Sequence, residues 1–185
     1  MIYYTADLHL GHKNIIKLVS RPFSSVEEMD AVLIENWNAV VAKDDTVYLV
    51  GDFSFCSARS VKPVLKVLNG AKHLIMRNHD KTWMKNVRAE EFFASVSSLL
   101  EIDDGDTHIT LCHYPMLSWN RVAHGAIHIH GHIHNNTQGA SFGILENMSA
   151  YNAGVDVNGF KPVTLEQLIT NKAMFYSQVR ENGQM

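Results

Sequence analysis

Five short β-rich runs in this chain each end in a turn carrying a carboxylate, an amide or an imidazole. Residues 2–6 run into Asp7-Leu8-His9, and residues 46–50 into Gly51-Asp52. Residues 72–76 run into Arg77-Asn78-His79-Asp80, residues 107–112 into His113, and residues 126–130 into Gly131-His132-Ile133-His134. This pattern restricts the fold, because a strand followed by a turn can aim polar side chains at one point without burying them in the core. The ends of strands are where α/β sheets usually build their sites.

The segments between these runs have helical character. Residues 13–19 predict a short helix, broken after Arg21 by Pro22. Ser24 and Ser25 can both cap the next one, with Glu27 and Glu28 as capping-box partners. Val26, Met29, Val32, Leu33, Trp37, Val40 and Val41 then fall on one helical face. Residues 61–68 predict a further helix closed by Asn69-Gly70, and residues 82–93 carry a weaker helical pattern. Residues 95–102 and 107–112 predict a hairpin turning at residues 103–106, and residues 149–157 predict another strand. Thr164, with Gln167 three positions later, opens a C-terminal helix. Strand and helix thus alternate in the first half, and strand dominates the second. The expectation is an α/β domain with either one mixed sheet or two packed sheets flanked by helices, and periodicity does not choose between them.

Composition adds bounds. The 185 residues fit one domain, with no repeat or linker to divide them. A net charge of -3 argues against bulk electrostatic binding to nucleic acid or anionic membrane. No run approaches the roughly 18 apolar residues that span a bilayer, and the start lacks a basic segment followed by an apolar one. Cys56 and Cys112 form no CxxC pair and are read as reduced thiols of a cytoplasmic protein. The unusual number is 11 histidines against 16 Lys and Arg together. His128 and His130 alternate with Ile127 and Ile129 and fit one sheet face; His73, His108 and His124 fit surface or structural places. Carboxylate, amide and imidazole without thiolate suit manganese, iron, zinc or nickel better than a structural cysteine-based zinc site. Each short motif is common turn chemistry when taken alone. The weight lies in five of them falling in one order on one short chain.

That order, Asp7-Leu8-His9, Gly51-Asp52, Asn78-His79-Asp80, His113 and Gly131-His132-Ile133-His134, resembles the calcineurin-like metallophosphoesterase superfamily over roughly residues 1–135, in its compact bacterial or phage form. The resemblance implies a four-layer αββα sandwich of two mixed sheets. It also implies two divalent metal ions, manganese first, with iron, zinc, nickel or magnesium as alternatives. Carried over residue by residue, Asp7, His9, Asp52 and His134 hold one ion, and Asp52, Asn78, His113 and His132 the other, with Asp52 shared. A water between the ions becomes the nucleophile, and His79 is the general acid, oriented by Asp80 unless Asp80 instead caps the following helix.

The implied activity is hydrolysis of a phosphate mono- or diester. The alternatives are a non-catalytic metal-binding scaffold on the same fold and a nuclease, with nucleic acid entering only as substrate. Two divalent ions against Asp7 and Asp52 would leave a positive pocket inside an acidic protein. The family's glycine before Asn-His is Arg77 in this chain, whose guanidinium either faces the phosphate or points to solvent. His12, Arg21 and Asn120 are loop residues placed to touch substrate. Oligomeric state is open at this level.

Overall fold

A computed structural model describes residues 1–77, 80–139 and 141–183. Its strands are β1 (Ile2–Thr5), β2 (Thr46–Leu49), β3 (Ala71–Ile75), β4 (Ser95–Ser97), β5 (Leu99–Asp104), β6 (Thr107–Cys112), β7 (Ile127–His130) and β8 (Ala150–Asn152). Its helices are α1 (Lys13–Leu18), α2 (Val26–Val40), α3 (Ala58–Val67), α4 (Asp80–Met84), α5 (Ser141–Glu146) and α6 (Leu165–Glu181).

The strands form two four-stranded sheets, in the orders β1-β2-β3-β4 and β5-β6-β7-β8. All neighbours in the first sheet are parallel. Parallel neighbours need crossover connections, and right-handed crossovers taken in sequential order lay their helices on one face. The burial pattern agrees. Tyr3, Val47, Leu49 and Leu74 point into a cluster with Met29, Leu33 and Trp37 of α2, Val61 and Leu65 of α3, and Trp83 of α4. Alternate residues Tyr4, Tyr48 and Ile75 point the other way and meet Ile109, Leu111, Ile127 and Ile129 of the second sheet. The period of two along each strand therefore separates a helix-facing core from a sheet-facing one. Leu165 and Leu168 of α6 pack on the second core, and Tyr176 and Val179 carry α5 through Phe142. The result is an α/β fold of two sheets flanked by helices.

Several expectations need correction. The first sheet is parallel throughout rather than mixed; only the second is mixed, through its antiparallel β5–β6 pair. The first hairpin arm divides at Ser98. β4 extends the first sheet beside β3, and only β5 pairs with β6, because chain entering the second sheet leaves the first there. The run 149–157 is a strand only to Asn152 and closes as a 3-10 turn at Val155–Val157. Ser25, not Ser24, caps α2 by accepting from the Glu28 N–H. Thr164 and Gln167 form the expected capping box. Among the described residues no helix is long and apolar enough to cross a membrane.

Candidate metal centre

Because β1, β2 and β3 run parallel, the residues that follow them emerge at one edge of the first sheet. β6 and β7 do the same in the second sheet, delivering His113 and then His132 and His134. The turns stay laddered after the strands end: the Asp7 N–H donates to Gly51 O at 3.1 Å, the His9 N–H to Asp52 O at 3.0 Å, and the Gly131 N–H to His113 O at 3.0 Å. Eight non-glycine residues among those described have positive φ, and five of them are Asp7, His9, Asp52, His132 and His134. Aspartate and histidine tolerate this left-handed region better than most residues, yet it still costs free energy, and such outliers gather at functional sites.

Four of the five turns bring ligand groups together among the described residues. Asp7, His9 and His134 bring one ligating atom each within 4.8 Å of one another, and so do Asp7, Asp52 and His113. Asp52 Oδ2 lies 3.6 Å from His9 Nε2 and 3.7 Å from His113 Nε2, between the two imidazoles. Asp7 belongs to both groups, so both carboxylates sit centrally. His132 is less close. Its ring rests against His113 and Tyr114, while its backbone N–H donates to Asp7 Oδ2 at 2.8 Å. Asn78 and His79, expected as ligand and general acid, lie outside the described residues.

Each of three histidines has one nitrogen engaged and the other turned inward. His113 Nδ1 donates to Val50 O at 2.8 Å. His134 Nδ1 pairs with Asp156 Oδ2 at 2.7 Å. His9 Nδ1 lies 3.3 Å from His12 Nδ1, and the His12 ring stacks on Phe55. Four atoms of the cluster are buried with no hydrogen-bond partner: His9 Nε2, His113 Nε2, Asp7 Oδ1 and Asp52 Oδ1. Buried polar atoms are nearly always paired, so four orphans aimed at one place fit a cation. Burial pushes Asp7 up to about 7, with Asp52 and Asp156 adding to the shift, and pushes His113 down to about 4. The cluster is thus held in a form that a cation would relieve.

Two glycines admit this approach. A Cβ on Gly51 would lie 2.4 Å from His113 Nδ1, and one on Gly131 would lie 2.6 Å from Asp7 Oδ2. Gly51 also has a φ of +83°.

Other expected residues make contacts of their own. Arg21 is not an exposed loop residue. It is buried, with Nε and Nη2 donating to Asp156 at 2.7 and 3.2 Å, Nη2 to Asp7 O at 2.7 Å and Nη1 to Leu8 O at 2.9 Å. An arginine after a turn reads as exposed, but its acceptors lie inside the fold. Asp80 accepts from the backbone N–H groups of Asp52, Phe53 and Arg77 and from Trp83 Nε1. It anchors the Gly51-Asp52 turn as well as opening α4. Asn120 donates to Glu101 on β5, at the edge of the second sheet, rather than to a residue of the cluster. His128 and His130 do line one buried sheet face. Arg77 ion-pairs with Asp52 Oδ2.

Asp156 was not anticipated. It joins Arg21 to His134, and those hydrogen bonds outweigh its burial and hold its carboxyl below the usual range. Its sequence signal was present: one carboxylate between Val155 and Val157 in an apolar run.

No family model matches the chain. The uncharacterized protein MJ1445 of Methanocaldococcus jannaschii is 37% identical over 170 residues, covering 91% of this chain and 89% of that protein. The chain belongs to the same family as MJ1445. The gene 66 protein of Mycobacterium phage L5 is 32% identical over 160 residues, with 72% of this chain and 77% of that protein aligned. Among solved structures, the protein of unknown function AQ665 from Aquifex aeolicus matches with a TM-score of 0.71 and 28% identity, over 92% of this chain and 98% of that one. The MJ1445 family thus reaches from an archaeon to a mycobacteriophage.

Proposed function

We propose that the chain is a metal-dependent phosphoesterase of the calcineurin-like type, its two sheets and flanking helices being the four-layer αββα sandwich of that superfamily. The observation that carries this reading is the convergence of four buried, unpartnered ligand atoms, on Asp7, His9, Asp52 and His113, at the ends of strands from both sheets. Their chemistry fits two divalent cations, with manganese the first choice.

Asp7, His9, Asp52 and His134 would hold one ion, and Asp52, His113, His132 and Asn78 the other. When bound, the pair supplies Lewis-acid polarisation of a phosphoryl group and a water acidic enough to attack near neutral pH. The chain does the rest. Arg21 and Asp156 fix the Asp7 turn and the His134 ring, and Asp80 fixes the Asp52 turn. His79 gives its proton to the departing alkoxide, so that no unstabilised anion leaves. Two unpaired cysteines fit a cytoplasmic setting.

The test uses purified protein loaded with manganese and aryl phosphate mono- and diesters. Turnover is expected with at least one class, and a sharp loss in both Asp52→Asn and His79→Ala. Unchanged rates in both variants would remove the residue roles. Manganese bound without turnover on any ester, together with a stable partner complex, would move the reading to a scaffold. Selective cleavage of single- or double-stranded nucleic acid would narrow it to a nuclease.

A further inference from the structure

Arg77 stands where the resembled superfamily has glycine, and its guanidinium neither points to solvent nor waits at a distance. It pairs with Asp52 Oδ2, the same oxygen that lies between His9 Nε2 and His113 Nε2. Oδ2 is the Asp52 oxygen that lies between those nitrogens, so a metal ion taking them would meet the guanidinium there. A guanidinium and a dication compete for that place, since one positive charge repels the other at such distance in a buried site.

The arginine is also held at the rim of the cluster. Its backbone N–H donates to Asp80 Oδ2 at 3.0 Å, which fixes the start of the side chain. Its Nε donates to the hydroxyl of Tyr114 at 3.2 Å, and its guanidinium carbon lies 5.5 Å from the Tyr114 ring centre. Tyr114 is substantially exposed, whereas the Asp52 side chain is almost wholly buried. The guanidinium therefore spans from the rim of the cluster to its centre, anchored outside and paired inside.

We infer that Arg77 is an internal counter-cation: it occupies Asp52 until metal binds, and the metal then turns it outward, where its fork takes the phosphoryl oxygens of a substrate. This rests on the metal-centre reading above. In the metal-free protein the pair removes the cost of a buried unpaired carboxylate. With metal bound, the same guanidinium remains beside the cluster and offers planar paired donors to an anion.

The experiment measures manganese binding calorimetrically to chelator-stripped wild type, Arg77→Gln and Arg77→Lys, and then inorganic phosphate binding to each manganese-loaded protein. Arg77→Gln is expected to bind manganese about tenfold more tightly, since it removes a charge-assisted competitor. It is expected to bind phosphate about tenfold more weakly, for loss of the same fork. Arg77→Lys should fall between, because an ammonium cannot reach Tyr114 and Asp52 together, and it carries the test if the glutamine variant does not fold. Equal or weaker manganese binding by the variants overturns the competition, and unchanged phosphate affinity overturns the outward role. Failure of wild type and variants alike to bind manganese removes the metal-centre reading itself. Binding by the variants alone supports the competition.

Discussion

Replacing Asp156 by asparagine separates the support of the cluster from the cluster itself. Asp156 accepts from Arg21 Nε at 2.7 Å and Nη2 at 3.2 Å, and pairs with His134 Nδ1 at 2.7 Å. The Arg21 and Asp156 side chains are 0% and 1% exposed. The substituted amide would keep the volume and one acceptor, but its N–H groups would face a guanidinium and an imidazole. Arg21 would remain buried with only neutral acceptors, the amide oxygen, Asp7 O, Leu8 O and Met29 Sδ. Breaking a buried ion pair from one side costs about 3–5 kcal/mol, and the retained acceptor puts Asp156→Asn near the lower figure. For a chain of this size about 3 kcal/mol lowers Tm by roughly 6–12 °C. His134 would also lose the partner that fixes its tautomer and ring plane. Manganese affinity should fall roughly 10–100-fold, as for other groups that orient a ligand. Urea unfolding and manganese calorimetry on the same samples measure both. A midpoint equal to wild type with unchanged manganese affinity would refute the claim that Asp156 holds Arg21 and His134 together.

Asp80→Asn should cost about 2–4 kcal/mol in urea unfolding, since an amide nitrogen would meet some of the four N–H donors that now converge on the carboxylate. Gly51→Ala should lower stability by about 2 kcal/mol or more and weaken manganese binding, because its Cβ would displace His113 from Val50 O at a left-handed position. A variant matching wild type in both respects would show that the turn relaxes freely. Burial holds His128 below the ordinary imidazole range and pushes His130 down to about 3. In the unfolded chain both take up protons near pH 6.5, so below that value the unfolded state binds more of them and folding weakens. Each should remove about 1.4 kcal/mol per pH unit once the unfolded imidazole is protonated and until the folded pKa is reached. Urea midpoints of metal-free protein at pH 7.5, 6.5 and 5.5 measure this, and a midpoint that does not fall between 6.5 and 5.5 contradicts it. His134 works in the opposite sense, since its hydrogen bond to Asp156 outweighs its burial and raises it.

Much of the cluster was legible because its logic is local. A β-rich run followed by Asp-x-His or Gly-Asp announces both the strand and what its end carries. Asp7, His9, Asp52, His113 and His134 meet for that reason. What escaped was decided by distant chain. Whether Arg21 faces water depends on Asp156, 135 residues away, and whether Arg77 faces substrate depends on Asp52 from another strand. The transfer of chain between sheets at Ser98 was hidden too, because β4 and β5 have the same residue character and only their partners differ. Asp80 shows a third limit. Its place at the start of a helix was readable, whereas two of its four donors, the N–H groups of Asp52 and Phe53, depend on how the Gly51 turn folds back onto it.

The left-handed backbone at Asp7, His9, Asp52, His132 and His134 bears on how this family would drift. At such a position glycine is relieved of a strain of about 1 kcal/mol that an L side chain carries. Backbone strain alone would therefore favour glycine at all five positions. Hydrogen bonds of the side chains, such as Asp7 with the His132 N–H and His134 with Asp156, oppose that drift, and so would a use for the side chains. If the proposed chemistry is what holds them, a descendant released from it should lose these aspartates and histidines early, while Leu8, Phe53 and Ile129 in the surrounding core stay apolar. Thermal stability compared across relatives that keep or lose these residues would then read out, lineage by lineage, whether the site is still in service.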